Sequence, residues 1–289
     1  MSELLIDVRG LRHTYMPGTP FASIALDGVD FRLESGETVG VVGSTGAGKS
    51  TLLQHLNGLY RPQEGEVHVL GRDLRDPGQD LREVRRSVGL VFQRPEQQIF
   101  SQYVGDDVAY GPRLLGLAGE ALRERVRWAM DLVGLGFLDY KDRLTWTLSG
   151  GEQRKAALAG VLALQPRVLI LDEPTAGLDP QARLGLLDDL RRLRAEGLAL
   201  VVASHNMEDI ALLADRLYVL QGGRVALEGP ARQVLSQGER LRALGLDAPP
   251  VVNLLQALRD LGVSVGGDSL TLDEAEEALA AWLDGRRSP

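Results

Sequence analysis

The chain has 289 residues, of which 44% are hydrophobic and 25% are charged, which is typical of a globular protein that buries a sizeable core. It contains no run of roughly 18 uncharged apolar residues and no basic start followed by an apolar stretch, so we expect a cytosolic protein without a membrane span or signal peptide. The absence of cysteine excludes disulfides and thiolate metal sites, and the net charge of −8 makes sequence-independent binding to nucleic acid unfavourable.

Short apolar runs rich in β-branched residues recur along the chain, and several are followed by helical patterns. This alternation predicts an α/β fold in which helices wrap a parallel sheet. The predicted strands are residues 4–8, 38–42, 87–92, 168–171 and 198–203.

The strand pattern disappears between residues 94 and 166, where helical periods replace it. The clearest helical periods cover residues 119–132 and 150–164. The second opens with the spacing Ser149-x-x-Glu152, which is typical of a capping box. These features predict an all-helical subdomain, inserted into the α/β core at about these residues.

The pattern changes again at about residue 237. An Ala-Pro-Pro break precedes a predicted helix over residues 251–261, and a further helix opens with the capping spacing Thr271-x-x-Glu274. We therefore expect a main unit over residues 1–236 and a small C-terminal appendage over residues 237–289.

A glycine-rich loop follows the predicted strand 38–42 and precedes a helical run, and it matches the pattern G-x-x-x-x-G-K-[ST]. Glycines let backbone N–H groups surround phosphate oxygens, and the helix N-terminus adds unpaired amides. Lys49 would reach the β- and γ-phosphates as a mobile charge, and the Ser50 hydroxyl would bind Mg²⁺. The candidate phosphate-binding residues are Gly43, Ser44, Thr45, Gly46, Ala47, Gly48, Lys49, Ser50 and Thr51.

Two adjacent carboxylates, Asp172 and Glu173, follow the apolar strand 168–171. A buried strand that ends in this way predicts that the charges have a chemical role. Asp172 would hold Mg²⁺, directly or through water, and Glu173 would orient or deprotonate the water that attacks the γ-phosphate. The alternative, a strand that ends in solvated acids, does not explain the phosphate loop upstream.

The sequence LSGGEQ at 148–153 resembles the signature of ABC transporter ATPases, and LDEPTAGLD at 171–179 follows at the spacing of that family. The resemblance covers about residues 3–236. It implies a P-loop NTPase with a RecA-like core and an N-terminal antiparallel β subdomain. It also implies a head-to-tail dimer, in which each ATP lies between the phosphate loop of one chain and the signature of the other. A capping box alone would not explain the two glycines of the signature residues Ser149, Gly150, Gly151 and Glu152.

The same resemblance assigns roles to further residues at matching positions. Tyr15 resembles the aromatic residue that stacks on adenine, although a core tyrosine is the alternative, and Asp179 resembles the aspartate that links the two sites. Gln93 resembles the glutamine that senses Mg²⁺ and the attacking water while touching the transporter, and His205 resembles the histidine that contacts the γ-phosphate. The implied catalytic residues are Lys49, Gln93, Glu173 and His205. The implied Mg²⁺ ligands are Ser50, Gln93 and Asp172.

Several segments resemble one branch of the family, the ATPases of energy-coupling factor (ECF) importers. They are residues 15–21, 92–100, 107–112, 157–163 and 246–250. In that branch, the ATPase pair docks on a transmembrane coupling subunit, which carries a separate substrate-binding membrane protein for a vitamin or a transition metal. The resemblance therefore implies a peripheral protein on the cytoplasmic face of the cell membrane.

Two other functions are compatible with parts of this pattern. A conventional ABC importer ATPase shares every catalytic residue. A soluble ABC ATPase that acts on ribosomes or DNA usually has two cassettes in one chain, a long coiled-coil insertion, or basic and cysteine-rich elements, and none is visible here. A homodimer and a heterodimer with a paralogue are equally compatible with the sequence, and the appendage is either a dimer contact or a passive extension.

Overall fold

The computed structural model describes residues 3–94, 97–263, 265 and 269–287. Pro95 and Glu96 of the segment 92–100, and residues 264, 266–268 and 288–289 of the predicted appendage, lie outside the described residues. The strands are β1 (Leu4–Tyr15), β2 (Ser23–Glu34), β3 (Thr38–Gly43), β4 (Glu64–Val69), β5 (Arg72–Asp73), β6 (Val88–Val91), β7 (Val168–Asp172), β8 (Ala199–Ala203), β9 (Arg216–Gln221) and β10 (Arg224–Pro230). The α-helices are α1 (Lys49–Leu56), α2 (Leu81–Ser87), α3 (Val104–Leu114), α4 (Gly119–Leu132), α5 (Phe137–Tyr140), α6 (Gly150–Leu162), α7 (Pro180–Ala195), α8 (Met207–Leu213), α9 (Ala231–Leu235), α10 (Gly238–Ala243), α11 (Pro250–Asp260) and α12 (Leu272–Arg287).

The larger sheet has the strand order β10-β9-β3-β8-β7-β6. Its strands run parallel except for β10, which pairs antiparallel with β9. Every residue of β3, β7 and β8 is buried, which explains why these strands read as continuous apolar runs. Because parallel strands end at one edge of a sheet, the segments that follow these three strands meet there. The predicted α/β fold is confirmed.

The smaller sheet is antiparallel, with the order β2-β1-β4-β5, and confirms the predicted N-terminal β subdomain. Strand β1 runs to Tyr15, well beyond the predicted residues 4–8, because β2 pairs with it along its length. Buried and exposed residues alternate over the second half of β2, so it has no continuous apolar run and was not among the predicted strands. This pairing carries Tyr15 next to Ser23, beside the phosphate loop.

Helices α3 to α6 occupy the stretch between β6 and β7. The described part of this stretch contains no strand, and its β pairing consists of an isolated bridge between Tyr103 and Leu144. Helix α4 has the predicted bounds and buries Val126, Ala129 and Met130, whose spacing places them on one face. These side chains form one hydrophobic core with α3, α6 and the facing side of the larger sheet.

Helix α6 opens with the predicted capping box. Ser149 Oγ accepts a hydrogen bond from Glu152 N at 3.3 Å, and the Glu152 carboxylate accepts one from Ser149 N at 2.7 Å. Burial raises the pKa of Glu152, but hydrogen bonds from Ser149 and Tyr140 and the nearby Arg143 outweigh it and lower this pKa to about 2. Glu152 therefore stays ionised and anchors the start of α6 at any physiological pH.

The C-terminal helices α11 and α12 contact each other, and an ion pair between Arg232 and Glu274 joins α12 to α9. Thr271 Oγ1 accepts from Glu274 N at 3.3 Å, as predicted, and the Glu274 carboxylate accepts from Leu270 N at 2.7 Å. Within the described ranges, we find no helix with the length and apolar character needed to cross a bilayer.

Candidate functional site

The phosphate loop lies between the end of β3 and the start of α1, at the centre of the larger sheet. A Cβ atom on Gly48 would lie 2.4 Å from the Ala25 carbonyl oxygen, and Gly48 has a φ of +104°. A Cβ atom on Gly43 would lie 2.5 Å from the Leu220 carbonyl oxygen. Glycine is therefore required at both ends of the loop by the fold itself, before any ligand is considered.

Lys49 and Ser50 begin α1 and lie against the loop. Lys49 Nζ donates hydrogen bonds to the carbonyl oxygens of Gly43 at 2.7 Å and Ser44 at 3.2 Å. Ser50 Oγ donates to Asp172 Oδ2 at 2.6 Å, although the two residues are 122 positions apart. The fold therefore brings the loop and the end of β7 into direct contact.

Asp172 and Glu173 are 8% and 7% exposed, respectively. Burial raises the pKa of Asp172, and the Ser50 hydrogen bond only partly opposes this effect. A buried carboxylate beside a hydroxyl is suited to a hard cation that prefers oxygen ligands. The described residues contain no cluster of three or more His, Cys, Asp or Glu side chains that would hold a metal alone. A cation held by Ser50 and Asp172 would complete its coordination with oxygen atoms of water or of a bound nucleotide, which is typical of Mg²⁺.

Glu173 combines a strained backbone with a fixed side chain. Its φ of +51° lies in the left-handed region, which is uncommon for a residue other than glycine and is often found at functional sites. His205 Nδ1 lies 2.7 Å from Glu173 Oε2, where the imidazole N–H donates to the carboxylate, and the His205 ring remains 71% exposed. The segment after β8 therefore orients the carboxylate of Glu173, the residue that directly follows β7.

These side chains line a cavity of about 370 Å³. Its lining brings together Tyr15, Gln93, both carboxylates and six residues of the phosphate loop, whereas Gly43, Ser44 and Ala47 are not among its described lining residues. It also includes three residues of β2 that were not predicted as site residues, Ser23, Ile24 and Ala25. Ser23 and Ile24 pair with Tyr15 and Thr14 across the β1–β2 hairpin, so a prediction of this pairing would have identified them as neighbours of the site. His205 contacts Glu173 beside this cavity.

Tyr15 lies over the loop rather than in the core. It is 38% exposed, and its hydroxyl is 3.0 Å from Thr51 Oγ1. An aromatic cluster supports it from behind, with the His13 ring 4.6 Å and the Tyr60 ring 6.2 Å from the Tyr15 ring, measured between centroids. The position is accessible to a planar ligand.

His55 completes this cluster from α1 and was not singled out by sequence reasoning. It is fully buried, and its Nδ1 donates to the Thr51 carbonyl oxygen at 2.8 Å. Among the described residues, its Nε2 and the Nδ1 of His13 have no hydrogen-bond partner. Burial, together with the nearby His13, lowers the pKa of His55 to about 4.

Because His55 is buried, we expect the protein to lose stability in acid. The unfolded chain takes up the proton near the ordinary pKa of 6.5, whereas the folded chain takes it up only near 4. We therefore expect the free energy of unfolding to fall by about 3 kcal/mol between these pH values. Urea unfolding of the wild type and of His55→Asn at pH 7 and pH 4.5 would measure this. The variant should lose distinctly less stability on acidification, and an equal loss would contradict the assignment.

A second cavity, of about 700 Å³, contains the signature residues, and the described residues that line it differ from those that line the first. Ser149, Gly150, Gly151 and Glu152 line it together with Asp179, which caps α7 by accepting from Gln181 N at 3.0 Å and Ala182 N at 2.9 Å. A Cβ atom on Gly150 would have no neighbour within 4 Å among the described residues, and one on Gly151 would make only ordinary contacts with them. The fold of the chain does not require these glycines, so their use points to the close approach of something outside it.

The strand–loop–helix phosphate loop, the adjacent buried carboxylates and the oriented histidine define a P-loop nucleoside triphosphatase. A family model described as "ABC transporter" matches residues 26–176. The "Energy-coupling factor transporter ATP-binding protein EcfA2" of Clostridium perfringens is 44% identical over 275 residues, which are 95% of this chain and 96% of that protein. The protein of the same name from Symbiobacterium thermophilum is 49% identical, over 95% of each chain.

Solved structures agree with this similarity. Among them is cbiO1 from Clostridium perfringens, part of the ABC transporter complex cbiONQ, with a TM-score of 0.75 and 34% identity over 88% of this chain and 99% of that one. The ATP-binding cassette MJ0796, a dimer in a post-hydrolysis state bound to ADP and Pi, has a TM-score of 0.71 and 28% identity over 78% and 99%. The chain belongs to the ABC transporter family, in the group of energy-coupling factor ATP-binding proteins. The family predicted from the sequence is confirmed, and with it ATP hydrolysis coupled to transport.

Proposed function

We propose that this chain is the ATP-hydrolysing subunit of an ECF importer for a vitamin or a transition metal. It works on the cytoplasmic face of the membrane with a second ATPase chain, a transmembrane coupling subunit and a substrate-binding membrane protein. The extent of the similarity supports this function over a conventional importer. The relatives named as ECF ATP-binding proteins are 42% to 49% identical to this chain over 95% or more of its length.

The observation that carries the proposal is the separation of the two cavities. The phosphate loop, Asp172 and Glu173 line one, and the signature and Asp179 line the other. Each cavity is one half of a nucleotide site. When two such chains meet head to tail, the first cavity of each chain faces the second cavity of the other, and two complete sites form. Because this chain contains both halves, a homodimer and a heterodimer with a paralogue are each compatible with this arrangement.

Different residues of the first cavity bind the phosphates, the adenine and the cation. Backbone amides of residues 43–51 and the Lys49 ammonium bind the phosphates, and Tyr15 stacks on adenine. Ser50 and Asp172, with Gln93, hold Mg²⁺. The cation, when bound, neutralises charge that develops on the phosphate oxygens.

Hydrolysis depends on Glu173 and His205, which follow β7 and β8. Glu173 orients the attacking water and accepts its proton, and His205 holds the carboxylate and contacts the γ-phosphate. The signature residues and Asp179 of the second chain close the site from the other side. Loss of the γ-phosphate removes the bridge between the two chains, so the dimer opens. The helical subdomain at about 94–166 and Gln93 transmit this motion to the membrane partner.

The extension over residues 237–289, beyond the cassette at 1–236, is proposed as a dimer contact. Its helices leave apolar side chains exposed, among them Leu254 on α11 and Leu272 on α12, which are 49% and 72% exposed. A surface of this kind is typical of an interface.

The experiment that tests this function is purification of the tagged chain from gently solubilised membranes of its host, followed by mass spectrometry and ATPase assay of the recovered complex. We expect a coupling membrane subunit, a small substrate-binding membrane protein and ATP turnover that increases with the transported solute. A Glu173→Gln chain should recover the same partners without turnover. Recovery of a permease pair with an external binding protein would contradict the ECF type, and recovery of ribosomal or DNA-bound factors alone would contradict transport.

A further inference from the structure

Asp209 is a buried carboxylate that neither cavity includes in its described lining. It lies on α8, is 1% exposed, and is held by two side chains from distant segments. Thr175 Oγ1 donates to Asp209 Oδ2, and Arg183 Nε donates to Asp209 Oδ1 at 2.7 Å. Arg183 also donates to Glu208 at 2.8 Å, so the guanidinium is fixed by two carboxylates.

Each partner in this cluster lies close in sequence to a residue of the proposed reaction. Thr175 is two residues after Glu173, and Asp209 is four residues after His205. Arg183 lies on α7, four residues after Asp179, which belongs to the second cavity. One carboxylate therefore joins the three chain segments that carry Glu173, His205 and Asp179.

The loop over residues 173–179 is also held by the helix that the signature opens. Arg154, on the helix that the signature opens, donates from Nη1 to the Ala176 carbonyl oxygen at 2.9 Å. The loop thus runs between a contact from the signature helix and a contact from α8. A displacement at the second cavity can therefore reach the segments that carry Glu173 and His205 through the contacts of Arg183, Asp209 and Thr175, of which Asp209 and Thr175 are buried.

We propose that Asp209 is a positioning residue for hydrolysis: by binding Thr175 and Arg183, it holds the 173–179 loop against α8 and couples Asp179 to the Glu173–His205 pair. This inference rests on the proposed function. Asp209 acts on the hydrolysis step rather than on nucleotide binding, because it touches neither the phosphate loop nor Tyr15.

The test measures ATP KM, kcat and bound nucleotide in the complete complex. Asp209→Asn keeps the side-chain shape and removes the charge. We expect kcat per bound nucleotide to fall about tenfold or more, with KM within about threefold of the wild type. Expressing kcat per bound nucleotide prevents unfolded protein from lowering it. Asp188→Asn is the matched control, because Asp188 is an exposed carboxylate on α7, 3.2 Å from Arg191, and its loss should change neither constant.

A milder pair of variants keeps the test decisive if Asp209→Asn fails to fold. Thr175→Val removes only the donor to Asp209 and should lower kcat, whereas Thr175→Ser keeps the hydroxyl and should restore it. The Thr175→Val and Asp209→Asn effects should be less than additive, because both act through one contact. Wild-type kcat in Asp209→Asn, or in Thr175→Val, would overturn the positioning role alone. Absence of turnover in the wild-type complex would instead contradict the proposed function.

Discussion

Replacing Glu173 with Gln is expected to lower ATP turnover by about 10²- to 10⁴-fold, because the amide does not accept the proton of the attacking water. ATP binding should persist, since the phosphate loop and Tyr15 are untouched. The amide still accepts a hydrogen bond from His205 Nδ1, which lies 2.7 Å from the native carboxylate, so the local geometry is conserved. Single-turnover hydrolysis and equilibrium binding of ATP to the same preparation measure the two effects separately.

A carboxylate outside the site provides the control for this prediction. Glu83 is exposed on α2, and Glu83→Gln should leave both turnover and binding at wild-type values. If Glu173→Gln turned over ATP at a rate close to that of the wild type, the catalytic role assigned to this carboxylate would be wrong.

Replacing Gly48 with Ala is expected to destabilise the protein and to weaken ATP binding. The new Cβ atom would lie 2.4 Å from the Ala25 carbonyl oxygen and 2.9 Å from Leu26 Cδ2, on a backbone with a φ of +104°. Backbone strain and overpacking together should cost about 2 to 5 kcal/mol. The loop must then shift, and its amides lose their alignment with the phosphates, so the Kd for ATP should rise at least about tenfold.

Gly46 offers a matched control in the same loop. Its φ of +80° is also left-handed, but a Cβ atom there would have no neighbour within 4 Å in the part of the chain that the structure describes. Gly46→Ala should therefore cost only the backbone strain, about 1 to 2 kcal/mol, in urea unfolding of the nucleotide-free protein. Equal losses of stability in the two variants would show that crowding against Ala25 is not the reason for glycine at position 48.

Features encoded within a few consecutive residues were predictable from the sequence. The phosphate loop is one, because its glycines, Lys49 and Ser50 are contiguous and their turn requires those residue types. The Ser149–Glu152 capping box and the bounds of α4 are others, since both depend on contacts within one or two helical turns. The buried strands β3, β6, β7 and β8 also read directly from their apolar runs, whereas the parallel strand β9 was not predicted.

Half-exposed antiparallel strands were not predictable in the same way. The second half of β2 alternates between buried and exposed residues, and irregularities interrupt its register with β1, so the pairing depends on the partner strand rather than on local pattern. The position of Tyr15 follows from that pairing. The sequence suggested its role only through a family resemblance.

The sequence by itself determined the chemistry available to this protein: a loop that binds phosphate, two carboxylates at a strand end, and a capped signature helix. Only the tertiary structure decided which of these groups meet. The strand order places β3 beside β8 and β8 beside β7, so Ser50 reaches Asp172 across 122 positions and His205 reaches Glu173 across 32. The contacts of Asp209 with Thr175 and Arg183, and the burial of His55 behind Tyr15, have no local signature. They arise from packing between elements that are distant in the chain, and packing of that kind depends on the whole fold rather than on any short segment.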